Sequence, residues 1–309
     1  MSNNLTNSPK RNISFYHLIK SYLNYLIHDL KIANKVRKRF RNSILLLYKI
    51  YCKKYPISAK LKNGQTLSFE NFTQLYAHLL DIHYNKVDGT AIIQDVPFHG
   101  GLQNVENLYE VFIKKEYDFL DVENKIVVDV GANIADSSIY FVRKGAIKVI
   151  GLEPNKENFE KAMENICLNG MKDQIDLLQM GCGDERLVTN EGKANMVTLE
   201  SIMDEYANAP KVLKIDCEGC EYEVILNSPY ELLSNFSQIQ IEYHYGYKNL
   251  KTKLEKSGFD VRITGPRYFK LKKVDNKETT RYNNIQSTND FFLLGWLYAN
   301  KIKQNTKLF

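Results

Sequence analysis

The spacing of apolar residues changes character along the chain. Between positions 13 and 51, Ile19, Tyr22, Leu23, Leu26, Ile27 and Leu30 recur at steps of three and four, which predicts one or two amphipathic helices. From Ile126 onward, short apolar runs are separated by mixed segments long enough for helices. KIVVDV, KVIGLE, IDLLQM, VLKID and QIQIEYH read as strands. Helices are expected over SSIYFVRK, Asn155 to Asn169, Leu199 to Tyr206, Glu221 to Leu226 and Lys248 to Ser257. Gly145, Gly170 and Gly258 stand at three of their ends, where a left-handed residue commonly stops a helix. This alternation specifies a doubly wound, Rossmann-like α/β fold, a mostly parallel sheet with helices on both faces. The last two runs, FDVRIT and DFFLLGW, have no clear helix between them and predict an antiparallel hairpin at one edge.

Ahead of this region the signals are local. After Pro56, ISAKLKNGQTLSF predicts a hairpin with Asn63-Gly64 as a two-residue turn. Residues 71–110 form a mixed connector, in which the paired glycines of FHGGLQN (Phe98 to Asn104) read as a surface turn, with a hinged lid as the alternative. The chain is accordingly divided into an N-terminal helical, hairpin and connector region, 1–110, and an α/β domain, 111–309. KVRKRFR, Lys35 to Arg41, puts five cations into seven positions. A basic amphipathic helix can rest on an anionic membrane surface or contact nucleic acid. The expectation here is that its apolar side packs on the α/β domain or on a second copy, as a homodimer, while the Lys35–Arg41 face stays in water. Weak, salt-sensitive contact with an anionic membrane is a second role for the same cations.

Composition narrows the classes. At 309 residues with 44% hydrophobic and 25% charged positions, the chain has the balance of an ordinary globular protein. Its formal net charge of +6 does not by itself imply a polyanionic partner. MSNNLTNSPKRN has no apolar core of the kind a secretory signal carries, and the longest apolar run, Ile44 to Tyr48, falls far short of the roughly 20 residues that span a bilayer. Five cysteines exclude a complete intrachain disulfide framework and favour a reducing cytoplasm. In that compartment the glycosylation sequons at Asn4, Asn12 and Asn71 are chance matches.

Candidate chemistry concentrates in IVVDVGANIADSSIYF, where a strand ends in an acid and a glycine-led turn enters a helix. Ligands of doubly wound sheets sit beyond the carboxyl ends of the strands, at this turn. A dinucleotide site wants three glycines there, but the slots hold Gly131, Asn133 and Asp136. A carboxylate in the third slot would repel a diphosphate by several kcal/mol, on the order expected at ~4 Å and an effective dielectric near 20. S-adenosylmethionine has no phosphate and carries an ammonium, a sulfonium and a carboxylate. Asp129 can accept from the ammonium or a bridging water, Gly131 admits close backbone approach, and Asp136 can cap the helix. Glu153 ends the second strand, 24 residues after Asp129, where an acid accepts from ribose hydroxyls. Asp184, in MGCGDE after the third strand, is placed to accept from the adenine amino group or to make a tight turn.

Together VVDVGANIADSSIYF, GLEPNKENFEKAMENICLNG, KIDCEGCEYEVI and IQIEYH resemble the FkbM family of methyltransferases over roughly Glu110 to Trp296. The resemblance implies S-adenosylmethionine as cofactor, held by Asp129, Gly131, Asn133, Asp136 and Glu153, and a reaction cleft lined by Asp216, Glu218, Gly219 and Glu221. It also implies O-methylation of a hydroxyl on a sugar or natural product. Ala135 stands where the family often has glycine.

Methyl transfer to an alcohol needs alignment of the acceptor and a base for its proton. Asp216, Glu218, Glu221, Glu242 and His244 lie at the ends of strands four and five, and His244 is expected to titrate near neutrality. Asp216, Glu218 and His244 are taken as the catalytic group, acting on a glycan or lipid-linked hydroxyl. The clustered carboxylates could hold Mg²⁺, but no ligand spacing compels it, and no metal is expected. Cys217 and Cys220 are read as small side chains filling gaps behind the cleft. A nucleic-acid (RNA) methyltransferase is the enzymatic alternative. It is disfavoured because DCEGCE stands where a base-amino methyltransferase carries a Pro-Pro-aromatic element, so no specific nucleic acid is expected. A catalytically inactive cofactor-binding interaction module is the third reading, opposed by intact Asp129, Glu153 and Asp216.

Overall fold

The structure is a computed structural model that describes residues 30–183, 195–205, 209–265, 267–270 and 291–302. The predicted helical stretch 13–29, the end of the helix at Tyr206 and the candidate adenine contact Asp184 lie outside the described residues.

The described chain opens with helix α1 (30–39), α2 (Ser43–Tyr51), strands β1 (Ile57–Lys60) and β2 (Thr66–Phe69), and α3 (Phe72–Leu79). These elements close over a small core of their own that includes Val36, Phe40, Leu46, Ile57, Phe69 and Leu75. The hairpin loop differs from the expected two-residue turn. Leu61 donates its N–H to the Gln65 carbonyl, so three residues, Lys62 to Gly64, lie outside the ladder. Of Asn63 and Gly64 only Gly64 adopts a positive φ, 97°, whereas a primed two-residue turn of the Asn-Gly type needs both.

A three-stranded antiparallel sheet follows, β3 (His83–Tyr84), β4 (Ala91–Ile93) and β5 (Val96–Phe98), then α4 (Val105–Leu108) running into a π turn at Tyr109–Ile113. Phe98, Leu108 and Phe112 share one core with Ile134, Phe141, Val149 and Ala162 of the α/β domain. The division of the chain at residue 110 therefore does not coincide with a division of the core. FHGGLQN is neither a lid nor an open surface turn. A Cβ on Gly101 would lie 2.8 Å from the Cβ atoms of both Ala91 and Phe98, so the turn is packed shut. The buried Asn165 side chain accepts from the His99 N–H (2.6 Å) and donates to the carbonyls of His99 and Ile134.

The α/β domain runs β6 (Ile126–Val130), α5 (Asp136–Arg143), β7 (Lys148–Leu152), α6 (Lys156–Leu168), β8 (Ile175–Leu178), β9 (Gly181–Cys182), β10 (Met196–Val197) and α7 (Leu199–Glu205). It continues with β11 (Lys211–Ile215), α8 (Glu221–Asn227), α9 (Tyr230–Leu233), β12 (Phe236–Tyr243), α10 (Lys248–Lys256), β13 (Phe259–Ile263), β14 (Arg267–Lys270) and β15 (Phe291–Lys301). The main sheet has the order β13-β15-β12-β11-β6-β7-β8, parallel from β12 to β8, with β14 paired to the outer part of β15. The two final runs are antiparallel neighbours as expected, but β15 is inserted between β12 and β13, which leaves β13 at the edge. Strand alternation sorts the sheet into two buried faces. Ile126, Val128, Leu213, Ile239 and Ile241 fill one, while Val127, Val212 and Trp296 belong to the other.

Gly131 is where this layering meets the site. It has φ 82°, and a Cβ there would fall 1.8 Å from the Asp216 carbonyl oxygen. The glycine lets the end of β11 close against the end of β6. Gly131→Ala should therefore destabilise the fold by roughly 1–3 kcal/mol or more through overpacking and left-handed strain, read as a lowered midpoint in chemical unfolding. An unchanged midpoint would show that the two strand ends are free to separate.

Candidate functional site

The turn after β6 is braced from both neighbouring strands. Gly131 and Ala132 donate their N–H groups to the Leu152 carbonyl at the end of β7. Asn133 (φ 50°) donates its N–H to Glu153 Oε2 at 2.9 Å, and Glu153 Oε1 accepts from the Asn155 N–H, also at 2.9 Å. Glu153 is thus buried at the mouth of the turn, and that burial raises its pKa against the hydrogen bonds that lower it. Ala135, with φ 66°, is the residue before α5, which explains why glycine suits this position. Asp136 is not a cap. It is the first helical residue, buried, and burial pushes its carboxyl up to about 7 although Lys214 pulls it down.

Asp129 has no exposed surface. It forms an ion pair with Lys214 (2.9 Å) and accepts from the Ser137 and Ser138 hydroxyls, each at 2.6 Å. The Asp129 carboxylate is thus engaged by internal partners. The Lys214 ammonium also donates to the Gly131 carbonyl (2.7 Å) and lies 5.4 Å from the Tyr117 ring centroid. Burial alone would lower the Lys214 pKa, but the Asp129, Asp216 and Asp136 carboxylates outweigh it and raise the value.

A segment ahead of β6, residues 116–121, lies along β12 and completes the site. Gln238 and Gln240 donate to the Phe119 and Glu116 carbonyls. Glu242 continues the same row, because side chains two apart share a face. Tyr117 donates its hydroxyl to Asp216 Oδ2 at 3.2 Å. Burial, reinforced by the Asp216 charge, pushes Glu242 up to about 9, and burial with Glu110 nearby takes Glu116 to about 7. Glu116, Tyr117 and Lys214 were not singled out in the sequence. KKEYDFL matches no motif, and a lysine inside a strand signals a partner only once the facing Asp129 is known.

At the other side of the cleft, buried His244 meets three carboxylates. Nδ1 is 3.0 Å from Glu221 Oε1, and Nε2 is 3.3 Å from Glu218 and 3.9 Å from Glu242. Glu221 also accepts from the His244 and Gly219 N–H groups. Burial would lower the histidine, but the Glu221 hydrogen bond and the surrounding charges push it up to about 10. The expectation that His244 titrates near neutrality is thus overturned, because at neutral pH it is an imidazolium with no free lone pair. Glu218, its side chain 87% exposed and its φ 55°, sits on the turn closed by a Cys217–Cys220 disulfide. The two cysteines are therefore a covalent clamp, which corrects their reading as gap fillers. Asp216, Glu218 and His244 each bring one potential ligand atom within 4.8 Å of the others.

The sheet is Rossmann-like, mostly parallel, with its last strand antiparallel in the next-to-edge place and acids at the ends of the first two strands of the winding. Residues 129–261 match the model of the methyltransferase FkbM domain. The chain is 26% identical over 266 residues to the CRISPR-associated endoribonuclease Cas13a of Leptotrichia buccalis, covering 81% of this chain and 22% of that protein. It is 28% identical over 128 residues to Uncharacterized protein 158B of Sulfolobus islandicus rod-shaped virus 1, covering 41% of this chain and 66% of that one. The chain thus spans less than two thirds of either relative. Among solved structures it is similar to TrmK of M. capricolum in complex with S-adenosyl-homocysteine, with TM-score 0.37, 13% identity, and 66% and 71% of the two chains covered. No helix among the described residues is long and apolar enough to cross a membrane.

S-adenosylmethionine is the cofactor the family implies, and the residues present fit it. Asp129, Asp136, Glu153 and Asp216 gather around one buried ammonium, Lys214, so the turn suits a ligand that brings positive charge and no phosphate. Glu153, already aligned by two backbone N–H groups, keeps lone pairs for the ribose hydroxyls.

The raised groups have a thermodynamic signature. His244 moves from 6.5 to about 10, so its contribution is complete below its unfolded value and disappears as pH rises through the folded one. Glu242 moves from 4.5 to about 9, and burying its charged form costs stability over that interval. Both act in the same direction. The urea midpoint should fall from about pH 6 to pH 10, and His244→Gln should flatten the upper part of the decline. A midpoint that is level or rising across this range would contradict the assignment.

Proposed function

We propose that the protein is an S-adenosylmethionine-dependent O-methyltransferase acting on a hydroxyl of a sugar, glycan or lipid-linked acceptor. The observation that carries this reading is the Asp216 carboxylate. It stands half-buried beyond the end of β11, oriented by the Tyr117 hydroxyl and beside a Glu242 that holds its proton. A bound S-adenosylmethionine supplies an activated methyl group on its sulfonium. Asp216 would accept the proton of the acceptor hydroxyl as its oxygen becomes methylated. Burial, which raises Glu242 to about 9 and Glu116 to about 7, favours their protonated forms near Asp216, and His244 sets positive charge against Glu218 and Glu221. No ligand spacing compels a metal there, and a chelator is expected to leave turnover intact.

Turnover against a panel of glycans, lipid-linked sugars and tRNA tests the proposal, with tRNA as the substrate that would replace it. Asp216→Asn should lower kcat by about 10²–10⁴ with cofactor affinity little changed, the usual range for a general base. Equal losses in kcat and cofactor binding would move Asp216 into the cofactor pocket.

Glu153→Ala should weaken S-adenosylmethionine binding by roughly 1–3 kcal/mol in calorimetry, the cost of a lost charged acceptor. NAD should give no heat with either protein, because Asp136 stands in the slot where a dinucleotide site has its third glycine. Unchanged affinity in the variant would make Glu153 a brace for the turn alone.

A further inference from the structure

Helix α2 is built the wrong way round for a purely structural element. Leu46 is its one fully buried residue, whereas Ile44 is 86%, Leu45 51%, Tyr48 55% and Tyr51 89% exposed. Positions 44, 48 and 51 form one stripe at helical spacing, with Leu45 beside it. Val36 of α1 and Phe40 just after it are buried in the core that the N-terminal elements close over themselves, not against the α/β domain, and most of the apolar side chains of α2 are exposed. The cations are also distributed differently from the expected wet face. Lys35 donates to the Leu79 carbonyl and Arg39 pairs with Asp81, while Arg37, Lys38 and Arg41 remain exposed.

The stripe has an electrostatic setting. From Lys31 to Phe69 the sequence holds eleven lysines and arginines and no carboxylate. Lys53 and Lys54 follow the helix directly, with the Lys54 ammonium 5.4 Å from the Tyr48 ring centroid. A shallow open groove of about 600 Å³, lined by Arg41 to Leu45 and Tyr48, runs beside it. Cations alone would suit nucleic acid, but Ile44 and Leu45 gain nothing from a phosphate backbone. Aliphatic groups flanked by tyrosines and ringed by cations match a bilayer surface, where chains, interfacial rings and anionic headgroups occur at successive depths.

We infer that α2 docks the protein onto an anionic membrane surface, with Ile44, Leu45, Tyr48 and Tyr51 between the headgroups and the surrounding cations on their phosphates. This docking does not depend on the methyl acceptor, and it is tested without an activity assay.

The full chain is mixed with vesicles of phosphatidylcholine containing roughly a third phosphatidylglycerol, or of phosphatidylcholine alone, at about 0.1 M salt, and the pellet is assayed. Sedimentation with the anionic vesicles only is expected, with at least about a fivefold loss at ~1 M salt. Both the Ile44→Ser/Tyr48→Ser/Tyr51→Ser variant and Lys53→Glu/Lys54→Glu should lower vesicle affinity about tenfold while keeping the unfolding midpoint. Cys52 and Cys167 are exposed, so a polarity-sensitive fluorophore on Cys52 in a Cys167→Ser background reports insertion directly. Its emission should shift to the blue with anionic vesicles.

Any of four results overturns the inference. The full chain fails to bind, or the serine variant binds as well as the parent. RNA displaces the protein from vesicles more strongly than added anionic lipid does. Sedimentation velocity reveals a dimer that the serine variant abolishes, which would give the stripe to a second copy.

Discussion

The ammonium of Lys214, sealed between two central strands, sets the terms for everything around it. Lys214 and Asp129 face each other in the β6–β11 ladder, both buried, with their charges 2.9 Å apart. A pair of this kind is a weak net source of stability, yet removing one partner costs about 3–5 kcal/mol because the other charge is left buried alone. The same ammonium holds the Gly131 carbonyl, so the turn that would receive a cofactor is tied to the strand that presents Asp216. Distance between the two halves of the site is thereby fixed by one interaction, and Gly131 supplies the clearance that lets the strands close upon it.

Charge in the cleft is graded rather than uniform. Around Lys214 the carboxylates are paired or neutralised by burial, and around His244 three of them share one imidazolium. Between these poles lies Asp216, held by a phenol instead of a cation. The sheet thus divides labour among acids of the same type through what each one touches.

How much of this could be read from the sequence depended on whether the partners were local. The strands, the helices between them and the turn at Gly131 were legible because each is written within a few consecutive residues. The packed state of FHGGLQN was not, since Asn165, the residue that holds it, is 66 positions from His99 and looks like any polar position on an amphipathic helix. The same holds for His244, whose raised basicity comes from Glu218 and Glu221 across the cleft and from Glu242 two residues away. Tyr117 carried no signal at all, as its value lies in a contact 99 residues away. Periodicity did not assign a partner to α2, because a hydrophobic stripe announces amphipathicity without saying what covers it.

The insertion of β15 between β12 and β13 has a consequence for how the molecule is made. Chains emerge from the ribosome from the N-terminus, and parallel strands joined by crossovers can pair as they appear. Here β13 has no neighbour in the sheet except β15, whose residues 291–301 are synthesised after it. Until that stretch arrives, the edges of β12 and β13 both present unpaired backbone to the crowded exit region, the kind of surface that recruits other strands. Vectorial synthesis therefore leaves a window in which a nascent chain with a nearly finished cleft is still an open template, and that window shuts only when β15 slides into place.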